Sequence, residues 1–149
     1  LKKIILLISL VFFAYAKQFH VGDKIGMFSL LDQFDVKHTI DKNIKTIIVS
    51  FEKQTGKDVN EFLNSKDPTF LKDHNAVFIA NISGMPTIIT KLFALPKMRD
   101  YKHKILLIYN DSDTRFKNVE GKSTLYKLEN GVIKQIKFIT KDDLEKVFK

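Results

Sequence analysis

The 149 residues carry 25 basic and 17 acidic side chains, 13 phenylalanines, no tryptophan and no cysteine. The missing sulfur excludes thiol redox chemistry, disulfides, iron–sulfur clusters and cysteine zinc sites within this chain, because methionine cannot supply a thiolate. Every basic residue except Arg99 and Arg115 is a lysine. Scattered lysines with acids nearby read as a solvated surface; nucleic-acid recognition favours clustered guanidinium forks, so no nucleic-acid partner is expected. Anionic lipid or an envelope polymer is compatible with the charge.

Lys2 and Lys3 head an apolar run over 4–13, and Ala14-Tyr15-Ala16 follows. Basic head, apolar core and A-x-A site make the pattern of a secretory signal peptide cleaved after Ala16. The run is too short to span a bilayer, which takes ~20 residues as a helix. The expectation is an exported, periplasmic protein whose mature part is a single domain, 17–149, with no transmembrane segment. Losing the leader removes two lysines and no acid, so the mature chain stays basic. A chain of this length buries about two-thirds of its unfolded surface, enough for a core without staples.

In chain order, short strands over 28–31 and 36–40 flank a turn at Gln33-Phe34-Asp35. Continuous apolar runs follow at 46–51, 76–82 and 105–109. Such runs belong to strands covered on both faces, as in parallel sheets. A helix is expected over 58–74, broken near Lys66, with Asp67 as N-cap and Pro68 at the first helical position of its second part. A further helix is expected over 86–95, where Ile88, Ile89, Leu92 and Phe93 repeat at helical spacing, ended or kinked by Pro96. Asn130-Gly131 between the strand-like segments 122–128 and 132–139 signals a hairpin, since a type I′ turn needs positive φ twice. Thr140 with Asp143 three residues on starts a last helix holding Leu144, Val147 and Phe148. Strands alternating with helices imply right-handed crossovers and an α/β sandwich with helices on both faces.

Residues 21–35, VGDKIGMFSLLDQFD, are similar to the "VGDxxPxFxLxDxxG" opening of the thioredoxin-fold superfamily, peroxiredoxin or redoxin type. The family proline falls on Gly26 and the family turn glycine on Asp35. The 47–51 strand resembles the one leading to that family's active-site loop. Residues 105–111 resemble a later strand ending in aspartate, and "TLYKLENGV" over 124–132 resembles the closing hairpin "TFVIDxDGxI". The resemblance implies a thioredoxin-like three-layer α/β/α sandwich with an N-terminal hairpin and a C-terminal hairpin plus helix. It also implies a redox cysteine after Phe51 and a cis-proline before the last hairpin. The chain has Glu52-Lys53-Gln54-Thr55-Gly56-Lys57-Asp58 at the first place and Gly121-Lys122-Ser123 at the second.

The connection 52–58 is where such a fold presents function, at the end of a central strand and the start of a helix. Glu52, Lys53, Thr55, Gly56 and Lys57 are the candidate binding residues there, joined by Met85 and Pro86 from the loop Ser83-Gly84-Met85-Pro86-Thr87. Thr55-Gly56-Lys57 lacks the upstream glycine of a phosphate loop, and no G-x-G-x-x-G supports a dinucleotide. Asp111 and Asp113 could bind a divalent cation, but Asx-rich turns have the same composition. No two of His20, His38, His74 and His103 stand three to five apart, so surface or helix-end positions are expected. The run from Met85 through Leu92, Phe93, Leu95 and Pro96 to Met98 is read as core and helix cap, with an adaptable partner surface as the alternative.

The function expected is an exported thioredoxin-like module without thiol redox activity, binding an envelope protein and needing no cofactor. The rival is an oxidoreductase-like enzyme or carrier that uses a bound small molecule, flavin or metal at the same strand–helix loop.

Overall fold

The structure is a computed structural model and describes residues 17–149. The expected signal peptide, 1–16, lies outside the described residues. Seven strands form one mixed sheet in the order β2-β1-β5-β4-β3-β6-β7. They are β1 (Phe28–Asp32), β2 (Lys37–Ile40), β3 (Thr46–Ser50), β4 (Ala76–Asn81), β5 (Leu106–Ile108), β6 (Ser123–Glu129) and β7 (Val132–Ile139). β3, β4 and β5 run parallel at the centre, as their unbroken apolar runs require. The two hairpins pair antiparallel on either side, β1 to β5 and β6 to β3.

Turn chemistry sets both hairpins. Asn130 and Gly131 have φ of 50° and 77°, the double positive φ of a type I′ turn. At the first hairpin Asp35 takes φ 62°, at the position where the resemblance puts glycine. Asp32 holds that turn: its Oδ1 accepts the N–H groups of Phe34 and Val36 at 2.8 and 3.1 Å.

Alternation along the strands sends side chains to two clusters. Ile48, Phe78, Leu107 and Leu125 meet Val59, Leu63, Leu71 and Leu144 from the helices. These helices are α1 (Lys53–Asn64), α2 (Phe70–Asp73) and α5 (Leu144–Val147). Phe148 seals them, stacked on Phe62 at 6.0 Å and edge-on to Phe70 at 4.9 Å. The opposite face gathers Ile47, Val49, Ile79, Leu106, Tyr126 and Ile133. The layer over it is irregular chain before β1 and after β5. Phe19 and Phe28 pack edge-on or tilted against Phe116, at 5.5 and 6.2 Å. Tyr126 Oη accepts the Lys117 N–H and Thr124 Oγ1 donates to the Lys117 carbonyl, pinning the 109–122 connection to β6.

Two helix expectations change. α1 starts at Lys53, five residues before Asp58, and Asp67 caps a turn, with its Oδ1 accepting the Thr69 N–H at 3.0 Å, ahead of an α2 that begins only at Phe70. Pro96 does not end its helix. Segments α3 (Thr87–Ile89), a π-turn (Thr90–Ala94) and α4 (Leu95–Met98) run on continuously through it. The Leu95 N–H reaches back to the Thr90 carbonyl, five residues away. That widened turn makes room for a proline ring, which in a regular helix clashes with the carbonyl four residues earlier.

Candidate functional site

Parallel β3 and β4 end on the same edge of the sheet. There β3 passes through Phe51 to Glu52, the N-cap of α1. Glu52 makes no side-chain bond to its own helix. Its Oε1 instead accepts the Gly121 N–H at 2.8 Å. Gly121 sits in the turn before β6 at φ 75°, a conformation that favours glycine. These are the two neighbourhoods to which the resemblance assigns a thiol and a cis-proline. Here a carboxylate and a backbone amide occupy them and bind each other.

The other expected site residues lie in the first turns of α1, not in a loop. Lys53 is exposed; Thr55 is buried and its Oγ1 donates to the Glu52 carbonyl at 3.1 Å. Gly56 closes the first helical bond to Glu52 at 2.9 Å, and a Cβ there would stand 3.2 Å from Ser50 Oγ. Lys57 pairs with Glu61 at 3.7 Å. The early helix start was hidden because its first apolar contact with the core is Val59; the turn before it is polar. Met85 and Pro86 lie at the same end of the sheet but lead into the other helix through a trans peptide. Met85 packs against the helix-side core, and no hydrogen bond or ion pair joins it to the Glu52 group among the described residues.

Beside Glu52 lies a cavity of about 170 Å³, lined by Thr55, Asp58, Gly121, Ser123, Thr140 and Lys141 among others. That is below the ~300–1,000 Å³ of pockets that enclose a cofactor-sized ligand. Several of its polar groups are bonded to residues outside the lining: Thr55 Oγ1 donates to the Glu52 carbonyl, Asp58 accepts from Gln54 Nε2, and Thr140 forms a reciprocal capping box with Asp143. Asp113, from the other expected pair, is held bidentately by Arg115, with both bonds at 2.8 Å. Asn110 Oδ1 accepts the Ser112 N–H, so this segment is the Asx turn. Among the described residues no three His, Asp or Glu side chains are grouped to hold a metal ion.

A polar knot that sequence reasoning missed lies at the β1–β2 turn. Gln33 is fully buried; its Nε2 donates to the His103 carbonyl at 2.8 Å and its Oε1 accepts the Ile105 N–H at 2.8 Å. Arg99 Nε donates to the Gln33 carbonyl at 2.8 Å. His103, expected at the surface, is 4% exposed and bonds Asn60 Oδ1 of α1 through Nε2. Burial pushes its imidazole down to about 4. The flanking Lys102 and Lys104 disguised this inward position. His38 Nε2 meets buried Asp32 Oδ2 at 2.6 Å. Burial opposes the Asp32 charge, yet the His38 bond and the two turn amides outweigh it and hold the carboxyl below its usual range.

The helix expected to be core is only half so. Leu95 and Met98 pack on the core beside Met85, but Ile88, Leu92 and Phe93 are 66%, 63% and 65% exposed and Ile89 is 41% exposed. Leu92 and Phe93 lie within the π-turn, between buried Thr90 and half-buried Leu95, while Ile88 and Ile89 precede it. No helix among the described residues is long and apolar enough to cross a membrane.

No protein-family model and no curated protein matches the chain. Solved structures do. A peroxiredoxin-like protein from Aquifex aeolicus aligns with TM-score 0.52 at 9% identity, over 84% of this chain and 79% of that one. A peroxidoxin from Mycobacterium tuberculosis aligns with TM-score 0.53 at 14% identity, over 86% and 94%. The thioredoxin domain of a thiol-disulfide oxidoreductase from Bacteroides vulgatus gives 0.54 at 13% identity, over 89% and 100%. At such identities the likeness is one of fold alone. The chain has the thioredoxin fold, with no cysteine in its 149 residues.

Proposed function

We propose that this is an exported, non-catalytic binding module of the cell envelope, built on a thioredoxin scaffold whose reaction site has become structural. The observation that carries the reading is the 2.8 Å bond from the Gly121 amide to Glu52, which spans the place where the fold's chemistry would occur. No residue in that neighbourhood is an activated sulfur nucleophile, and its polar groups are committed to helix starts and turns. The chain's own residues hold a surface in place there; they do not move electrons. Export rests on the leader pattern of 1–16.

The test is turnover. Purified protein is expected to reduce insulin disulfides and consume hydrogen peroxide no faster than buffer. Thiol-independent turnover of either substrate refutes the reading. Mass spectrometry of the protein taken from its own envelope fraction is expected to show a chain starting at Lys17. A bound flavin, nucleotide or metal in that mass would overturn the non-catalytic assignment.

A further inference from the structure

We propose that the helix 87–98 docks the protein on an anionic lipid surface, its apolar stripe entering the headgroup boundary. The inference rests on the reading of an envelope module and names what that module meets. Ile88 and Ile89 end α3 and Leu92 and Phe93 follow within one turn of the continuous helix, all four exposed, so they form one apolar stripe. The single neutral polar side chain among them, Thr90, turns inward and donates to the Pro86 carbonyl at 3.3 Å. The stripe therefore offers carbon alone.

Charge selects the occupant. Lys91 and Lys97 are exposed on the same helix; Arg99, which follows it, is turned toward the Gln33 carbonyl and Asp35. No acidic residue occurs between Asp73 and Asp100. An aliphatic and phenyl stripe edged by lysines is the chemistry of an interfacial helix on anionic lipid. Protein hot spots draw on tryptophan, tyrosine and arginine, and the stripe contains none of them. With no transmembrane-length helix among the described residues, the element would lie on a bilayer and not cross it.

The chain's lack of tryptophan gives a clean probe. Phe93→Trp in the full chain places one reporter on the stripe, so binding through any other segment does not mimic docking. With vesicles of equal parts phosphatidylglycerol and phosphatidylcholine, its emission is expected to shift to the blue and to be protected from iodide. With pure phosphatidylcholine the shift should be much weaker. Lys91→Gln with Lys97→Gln, both exposed, should weaken partitioning about 30-fold, near a factor of five for each lysine. A control reporter, Met27→Trp, sits at a residue 77% exposed outside the stripe and should stay unshifted.

Emission from the Phe93→Trp variant that anionic vesicles leave unmoved overturns the proposal. So does an equal shift of the Met27→Trp reporter, or a lipid-free shift that grows with protein concentration, which would mean a second copy covers the stripe. A lipid-free shift on adding envelope proteins, with none on vesicles, would assign the stripe to a protein and overturn it equally. Failure here leaves the non-catalytic reading standing, whereas disulfide or peroxide turnover refutes that reading whatever the vesicles show.

Discussion

Gln33→Leu removes the polar knot at nearly constant side-chain volume. Two buried backbone groups lose their partners, the Ile105 N–H and the His103 carbonyl, both now bonded to Gln33 at 2.8 Å. The longer 3.3 Å contact with the Met98 carbonyl is counted as nothing. An orphaned buried group costs about 2 kcal/mol, so the pair costs about 4. Leucine returns about 1 kcal/mol by replacing a buried polar side chain, leaving a net loss of about 3 kcal/mol. With a urea slope of about 1.5 kcal/mol/M, the unfolding midpoint falls by about 2 M. Native-state hydrogen exchange should show the Ile105 amide losing protection first. A midpoint within about 0.5 M of the parent, with Ile105 still protected, would refute the claim that Gln33 joins the β1–β2 turn to the entry of β5.

His103 is held down to about 4 against an ordinary 6.5, so between these values only the unfolded chain takes up the proton. Stability should therefore fall as pH drops through that window, by up to about 3 kcal/mol, and urea midpoints of His103→Gln should show a flatter slope there. Gly26→Pro puts a ring fixed near φ −65° where the backbone stands at φ 67°, and should cost at least about 2 kcal/mol by thermal or urea unfolding. Tyr126→Phe leaves the Lys117 N–H without the hydroxyl it donates to at 2.8 Å; a loss of about 1–2 kcal/mol is expected, with proteolysis appearing first in the 109–122 connection.

The sheet was legible because its signals are local. β-branched runs announced β3, β4 and β5, Asn130-Gly131 announced the last hairpin, and Thr140 with Asp143 announced the capping box. The site was not legible in the same way. Glu52 meets a partner 69 residues away through a backbone amide, and no side-chain motif encodes that. Gln33 reads as a turn residue until the loop before β5 folds over it. Gly26 shows what a departure from a family pattern means physically. Its φ of 67° is closed to proline, so the chain there follows another path and does not merely carry another side chain. The 86–98 segment misled for a different reason. Its apolar spacing was read as a core face at 3.6 residues per turn, whereas the helix contains a π-turn and packs inward through Thr90, Leu95 and Met98.

The exposure along that helix has an energetic side. Four large apolar side chains left more than half exposed on average forgo about 5 kcal/mol of burial, at about 2 kcal/mol for each fully buried residue. A domain's whole stability is about 5–15 kcal/mol, and this one has no disulfide to make up the difference. The inward contacts of this helix go to Thr90, Leu95 and Met98, while Ile88, Ile89, Leu92 and Phe93 stay in water. The forgone burial is available to whatever surface the stripe meets. On the docking proposed above, the lysines beside it and the 26-residue stretch between Asp73 and Asp100 without an acid fit an anionic lipid surface as the supplier.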